Sequence, residues 1–484
     1  MSSTVVTNPP APALDRPGQA VLFAAAAGML GHAIMLSNGH QDPTAMKWVT
    51  YAISLAVIGV LMPNLKILDR LGDRPLRVVV GLGLIWSFGQ LFHNSPGIYL
   101  RQRSSEELLM FRVALSAGAI LAGLSLADTP LFGRAQLPLL ILVFLYLGWW
   151  LITASPAPII DVDTMQREGV KELLRGGNPY AMTFPNIYGH TQFFGAGVAT
   201  ADRINEGFPY PPLSLFMAVP GQAFFGDYRY GQLAAMAGAA ILMAKARPGT
   251  LGTAIAALFL FTPRAFFVLE QGWTDPFLVL MVAGTVYVAL RRPGLVPYVF
   301  ALFVCLKQYA VLATIFSWML LRPFSWREFG KSALKSTVVV AVISLPLALW
   351  NFKPFFFTLV LAHLQDPFRA DALTYLALWG NPPHAGRITL AAMAIAIGIA
   401  VWRSPRTPSG FAATLALFYF AFFSFGAHAF ANHYYFLIGI LCVAAAATKL
   451  TPDEEPVPTE DPVLAFIARL RGKAPATAPA PAAK

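Results

Sequence analysis

Between residues 18 and 450 the chain repeats apolar runs close to the ~20 residues that a helix needs to cross a bilayer. They lie at 18–36, 46–64, 78–93, 108–126 and 136–154, and again at 229–246, 250–266, 273–290, 294–306, 309–321, 333–351, 388–403, 410–426 and 434–449. Backbone groups in hydrocarbon must satisfy one another, which leaves helical bundles or closed barrels. Barrel strands alternate in polarity, and these runs are continuous. The expected fold is therefore an all-α polytopic membrane protein of about 12–14 transmembrane helices, with amphipathic juxtamembrane helices in its outer loops. Only 12% of residues are charged, against roughly 25% in a soluble domain.

The net charge of +11 does not point to nucleic acid. Lys and Arg fall mostly in short loops between apolar runs, where they set topology. No basic patch is interleaved with exposed aromatics in a soluble segment. Cys305 and Cys442 sit inside apolar runs and read as small core residues. The sequence carries no CxxC, HExxH or Walker-type motif, which argues against an ATP-driven pump and a metalloprotease. His428 and His433 are five residues apart, a poor spacing for metal ligands on a helix. No metal and no cofactor is expected.

The segment 211–226 (PPLSLFMAVPGQAFFG) is apolar enough to span, and charge placement decides against it. Suppose the N-terminus is cytoplasmic and 211–226 does not cross. Then Lys66, Arg70, Arg74, Arg77, Arg134, Lys245, Arg247, Arg291, Arg292, Arg403, Arg406 and the cluster from Arg322 to Lys335 all fall inside. If it crosses, every cluster after residue 228 moves outside, against the positive-inside bias. The segment is thus expected to lie along the outer interface, its Pro pair starting a helix. The loop 155–228 then faces the periplasm or exterior, together with 264–275, 351–387 and 426–435. Residues 1–16 read as disordered, and 451–484 as a flexible cytoplasmic tail.

The loop 155–228 far exceeds the ~12–15 residues beyond which a connection calls for a functional reason. It opens with DVDTMQREGVKELLRGGNPY at 161–180, an amphipathic surface helix closed by Gly and Pro. Asp161 and Asp163 stand just past a membrane span, where a hydroxyl arrives from water and a lipid-linked substrate from the bilayer. A carboxylate there can take the proton of an attacking hydroxyl. The alternatives are a solvated acid or a helix cap; the first suits Glu168 and the second Asp161. Lys307 lies between two short apolar runs, and a lysine at such depth needs a partner. A lipid phosphate is one candidate, and snorkelling to the interface is the alternative. Arg264, Glu270, Gln271 and Asp275 share one outer turn. His363, Arg369 and Asp371 share another, and His428, Asn432 and His433 a third.

The run D-x(6)-E-x(4)-LL-x-GG-NPY, followed by YPPLSL at 210–215, resembles the polyprenyl-phosphate-sugar-dependent glycosyltransferases of the GT-C superfold, in their bacterial mannosyltransferase-like branch. EQGWTD at 270–275 and LKQYA at 306–310 are similar to that branch's outer turn and its Lys-containing turn. The resemblance covers roughly 136–450, leaving 17–135 as additional N-terminal helices. It implies an inverting transferase with a polyprenyl-phosphate sugar as donor and a glycan or glycolipid hydroxyl as acceptor. Asp161 is implied as general base, with Asp163 as the other possibility. Lys307, with Arg264 or Arg369, is implied at the donor phosphate. Tyr210, Glu270, Gln271, Asp275, His363 and His433 complete the expected substrate surface. The expected location is the plasma membrane, with the site on the outer face. Two readings compete: a flippase of lipid-linked glycans, and a non-catalytic lipid-binding subunit.

Overall fold

The computed structural model describes residues 17–61, 71–101, 105–127, 132–321 and 324–448. The expected disordered start, the cytoplasmic tail, Lys66, Arg70 and Arg322 lie outside the described residues. What is described is nearly all helix. The first half holds α1 (Pro17–Ser37), α2 (Pro43–Leu61), α3 (Arg74–His93), α4 (Ser105–Leu124) and α5 (Gln136–Ala154). Next come α6 (Asp161–Leu174) and α7 (Pro212–Phe225), with a two-residue antiparallel pair, β1 (Phe184–Pro185) and β2 (Arg203–Ile204), between them. The second half holds α8 (Arg229–Ala246), α9 (Thr250–Leu260), α10 (Ala265–Glu270), α11 (Asp275–Arg291) and α12 (Val296–Val304). A 3₁₀ helix (Gln308–Leu320) leads to α13 (Trp326–Trp350), and a broken helical stretch runs from 352 to 364. The chain then forms α14 (Tyr375–Leu378), α15 (Ala385–Arg403), α16 (Pro408–Ser424) and α17 (Ala431–Ala447).

Among the described residues, seven helices are long and apolar enough to cross a membrane: α1 to α5 (α5 with the turn before it), α13 and α15. The expected 12–14 spans are not reached by this measure, because the second half is built from shorter pieces. The run expected at 250–266 breaks at Pro263 into α9 and α10. The nine residues of α12 reach only about 14 Å at ~1.5 Å per residue. Every residue of α9 is buried, so this short helix fills the bundle interior rather than its rim. In contrast, α13 and α15 are mostly exposed and apolar, which suits lipid contact.

The N-terminal helices join the same bundle. One core of buried side chains runs from Ala20 in α1 to Ala447 in α17. Helix α1 packs on α2 and on α17, and α3 packs on α9. Helix α7 begins at Pro212 and ends on Gly226, whose φ of +74° is the left-handed stop that favours glycine. It buries Ser214, Leu215 and Ala218 while exposing Phe216, Phe224 and Phe225. That two-sided pattern suits a helix lying along an interface.

Candidate functional site

Asp161 is the first residue of α6. Its Oδ1 accepts the amide of Val162 at 2.8 Å, and its own amide donates to the Tyr188 hydroxyl at 3.4 Å. The side chain is half-buried. Burial lifts its carboxyl above the usual carboxylate range; the Val162 amide, the Tyr188 hydroxyl and the Arg369 charge pull it only part of the way back. Tyr188 is aimed by its own loop. Asn186 accepts the Tyr188 amide and donates to the carbonyls of His190 and Thr200 at 2.8 and 2.7 Å.

Arg369 reaches this acid from the loop that precedes α14. Its guanidinium lies 4.1 Å from the Phe193 ring centre and 4.9 Å from that of Phe430. Phe193 in turn packs edge-on against Tyr188. Nε and Nη2 of Arg369 fork onto Asp371 at 2.8 and 2.7 Å. The α1–α2 turn closes the far side: the Gln41 amide donates to the Asp371 carbonyl at 2.8 Å, and His40 lies 3.7 Å from the Asp371 carboxylate. Gly39 permits this docking. Its φ is +81°, and an added Cβ would stand 2.0 Å from the Ala431 amide nitrogen. Gly39→Val is therefore expected to lower thermal stability by at least the ~1–3 kcal/mol of such backbone strain. A melting curve of the purified protein checks this.

The motif pieces NPY and YPP meet in space. The Tyr180 hydroxyl donates to the Tyr210 carbonyl at 2.7 Å. The neighbouring Pro209 carbonyl accepts from His363 Nε2 at 3.1 Å and from the Gln308 side chain. His363 Nδ1 faces Asp366 at 3.1 Å. With an acceptor at each ring nitrogen, His363 favours the doubly protonated imidazolium. Burial alone would lower its pKa, but Asp366 and the Pro209 carbonyl outweigh burial and raise it. Glu206 stands three residues before Pro209 in the same loop. It is 8% exposed. Burial pushes its carboxyl up to about 7, with Asp366 and Asp161 adding to the rise and His363 opposing it. Tyr210 lies within the fields of Asp161, Glu206 and Asp275.

Lys307 was expected to wait for a lipid phosphate, yet the chain supplies its partner. Nζ lies 2.8 Å from Asp275, and Tyr309 and Asn432 each donate to the same carboxylate at 2.9 Å. Lys307 is 5% exposed and Asp275 0%. The ammonium also faces the rings of Tyr210 and Tyr309, each centre 5.5 Å away. Asp275, expected from the resemblance on the substrate surface, is the counter-ion of a buried pair. His433 accepts the Phe430 amide through Nδ1 at 3.2 Å, and His428 meets the Pro367 carbonyl at 2.8 Å. Both hold loops.

Asp163 is separated from Asp161 by its partners. It accepts from Arg167 at 3.0 Å and from the Tyr228 hydroxyl at 2.9 Å. Arg167 continues to Asp227, and Asp227 to the fully buried Arg229. This chain fastens α6 to the start of α8. Asp163→Ala is expected to cost about 3 kcal/mol or more, because Arg167 and Tyr228 lose a buried acceptor. Denaturation midpoints of the two proteins provide the check. Glu270 is likewise occupied. Its oxygens accept the amides of Ile98 and Tyr99 at 2.7 and 2.9 Å, and Gln271 leans on it. Arg264 donates to the Ser95 carbonyl and covers the Phe267 ring. Arg264, Glu270 and Gln271 therefore anchor the 95–99 loop, while Asp161 and Arg369 meet at the Tyr188–Phe193 loop and Tyr210 and His363 at the 209–210 backbone.

No family model, no curated protein and no solved structure matches this chain.

Sequence reasoning missed Glu206, Tyr188 and Asp366. Glu206 sits in NEG, which reads as a turn. The available signal was its position two residues before the aromatic–proline run.

Proposed function

We propose that the chain is a glycosyltransferase of the outer membrane face, moving a sugar from a polyprenyl-phosphate donor to a hydroxyl of a glycan or glycolipid. The observation that carries this reading is Asp161. It is partly accessible, has no ion pair within 4 Å among the described residues, and holds an elevated carboxyl just past the outer end of α5. A raised pKa makes a stronger base, and Asp161 is the group that takes the acceptor's proton. The acceptor oxygen attacks the anomeric carbon from the face opposite the phosphate. The sugar–phosphate bond breaks, polyprenyl phosphate departs, and the configuration inverts. Arg369 steadies the growing charge on the phosphate, since Asp371 occupies Nε and Nη2 and leaves Nη1 for it.

The test is reconstitution in liposomes with labelled polyprenyl-phosphate mannose and a glycolipid acceptor extract. Transfer with inverted anomeric configuration supports the reading. No transfer from mannose or from other hexose and pentose donors counts against it. Asp161 must be ionised to act, so kcat/KM should fall as pH drops through its raised pKa. That acid limb lies above the ~3.9 of an ordinary aspartate. A pH–rate profile with its acid limb at the ordinary value would place the base elsewhere.

A second reading has its own observation. The Lys307–Asp275 pair lies where α12 and the 3₁₀ helix interrupt regular structure, an arrangement that transporters use near their ion sites. Flux of a lipid-linked glycan across liposomes, without transfer, would favour it.

A further inference from the structure

Among the described residues, the acids that are buried have donors, with one exception. Asp163 has Arg167 and Tyr228, and Asp227 has Arg167 and Arg229. Glu270 has two amides, and Asp275 has Lys307, Tyr309 and Asn432. Glu206 is 8% exposed, and no described residue donates to its carboxylate. Its oxygens are not among the fully buried unpartnered atoms, so they stay open to a donor from outside the chain, and a largely buried carboxylate that no side chain or amide meets calls for an explanation.

The side chain does not stand there by looseness of the loop. The Asn205 amide donates to Val198, the Gly207 amide to Thr358 Oγ1 at 3.1 Å, and the Phe208 amide to Pro179. A Cβ on Gly207 would stand 2.1 Å from the Tyr180 carbonyl, so the backbone presses against the NPY turn. The residue is clamped on both sides, with its carboxylate within the fields of His363, Asp366 and Asp161.

We propose that Glu206 is a hydroxyl-binding subsite, whose carboxylate accepts hydrogen bonds from a pair of sugar hydroxyls next to Asp161. The chemistry follows from what is missing: once ionised, the carboxylate has two oxygens with only acceptor capacity, and these need a ligand with donors. Neutral polyols supply donors without adding charge where His363, Asp366 and Asp161 already act on the carboxylate. This subsite rests on the proposed sugar transfer, and the hydroxyls belong either to the donor sugar or to the acceptor.

The experiment uses full-length wild type and Glu206→Gln, probed with polyprenyl-phosphate mannose, bare polyprenyl phosphate and the acceptor extract. If the donor sugar is bound, Glu206→Gln loses roughly 10- to 100-fold in affinity for the sugar-bearing lipid and none for the bare phosphate. If the acceptor is bound, its half-saturating concentration rises by a similar factor while donor affinity holds. A melting curve against pH distinguishes a ligand site from a structural acid. Ionising Glu206 destabilises the fold, so wild-type stability should fall as pH rises from 4.5 to about 7. Glu206→Gln should flatten that fall and melt higher above it. Active wild type with unchanged donor affinity and acceptor saturation in Glu206→Gln overturns the subsite alone. Inactive wild type that binds neither lipid overturns the transferase reading and the subsite with it. A variant that melts lower at every pH makes Glu206 a structural acid and overturns the subsite too.

Discussion

Lys307→Gln is expected to destabilise the protein by about 3–5 kcal/mol, the cost of removing one member of a buried ion pair. The pair is closed: Nζ is 2.8 Å from Asp275, and neither residue is more than 5% exposed. Tyr309 and Asn432 would still donate to Asp275, but no cation would balance it. Lys307→Gln with Asp275→Asn should lose much less than the sum of the single changes, because neither charge is then stranded. Thermal unfolding of the four proteins measures the coupling. A Lys307→Gln protein as stable as wild type, yet weakened toward polyprenyl phosphate, would return Lys307 to the role of phosphate ligand.

Asp161→Asn is expected to lower the rate of sugar transfer by roughly 10²–10⁴, the usual worth of a general base. The fold should survive. The Val162 amide contact can be kept by the substituted amide's carbonyl oxygen, and no ion pair is broken. Loss of an unpaired negative charge even favours the folded state at neutral pH, since burial holds this carboxyl above its ordinary pKa. Donor binding should change little, because the proposed partner of the phosphate is Arg369. The measurement is kcat and donor affinity in the same preparation. Equal losses in affinity and rate would make Asp161 a binding residue and not the base.

Much of the fold was legible because long continuous apolar runs read as helices by length and composition. The helices at 136–154, 161–174 and 229–246 fall where apolar periodicity and Gly–Pro stops put them. The interior helices did not follow this rule. Nothing in the run 250–266 distinguishes a span from two short buried helices, because both are uniformly apolar. The site was legible by residue type but not by pairing. Asp161 and Asp163 are two residues apart, yet a helix turns their side chains ~200° from each other. One meets Tyr188, the other the Arg167–Tyr228 network. Lys307 and Asp275 are thirty-two residues apart and pair directly. Glu270 was expected at a substrate surface, but its oxygens accept the amides of a loop between α3 and α4. Such choices are made by tertiary packing, which spacing along the chain does not encode.

The most direct measurement is a structure of Asp161→Asn with polyprenyl-phosphate mannose bound. The predicted result is a sugar beside Asp161 and Glu206 and a sugar–phosphate junction beside Arg369. Room should remain next to the substituted side chain for an acceptor hydroxyl, within reach of the anomeric carbon's open face. A donor bound with its phosphate on Lys307 or Arg264, and its sugar away from position 161, would contradict the account.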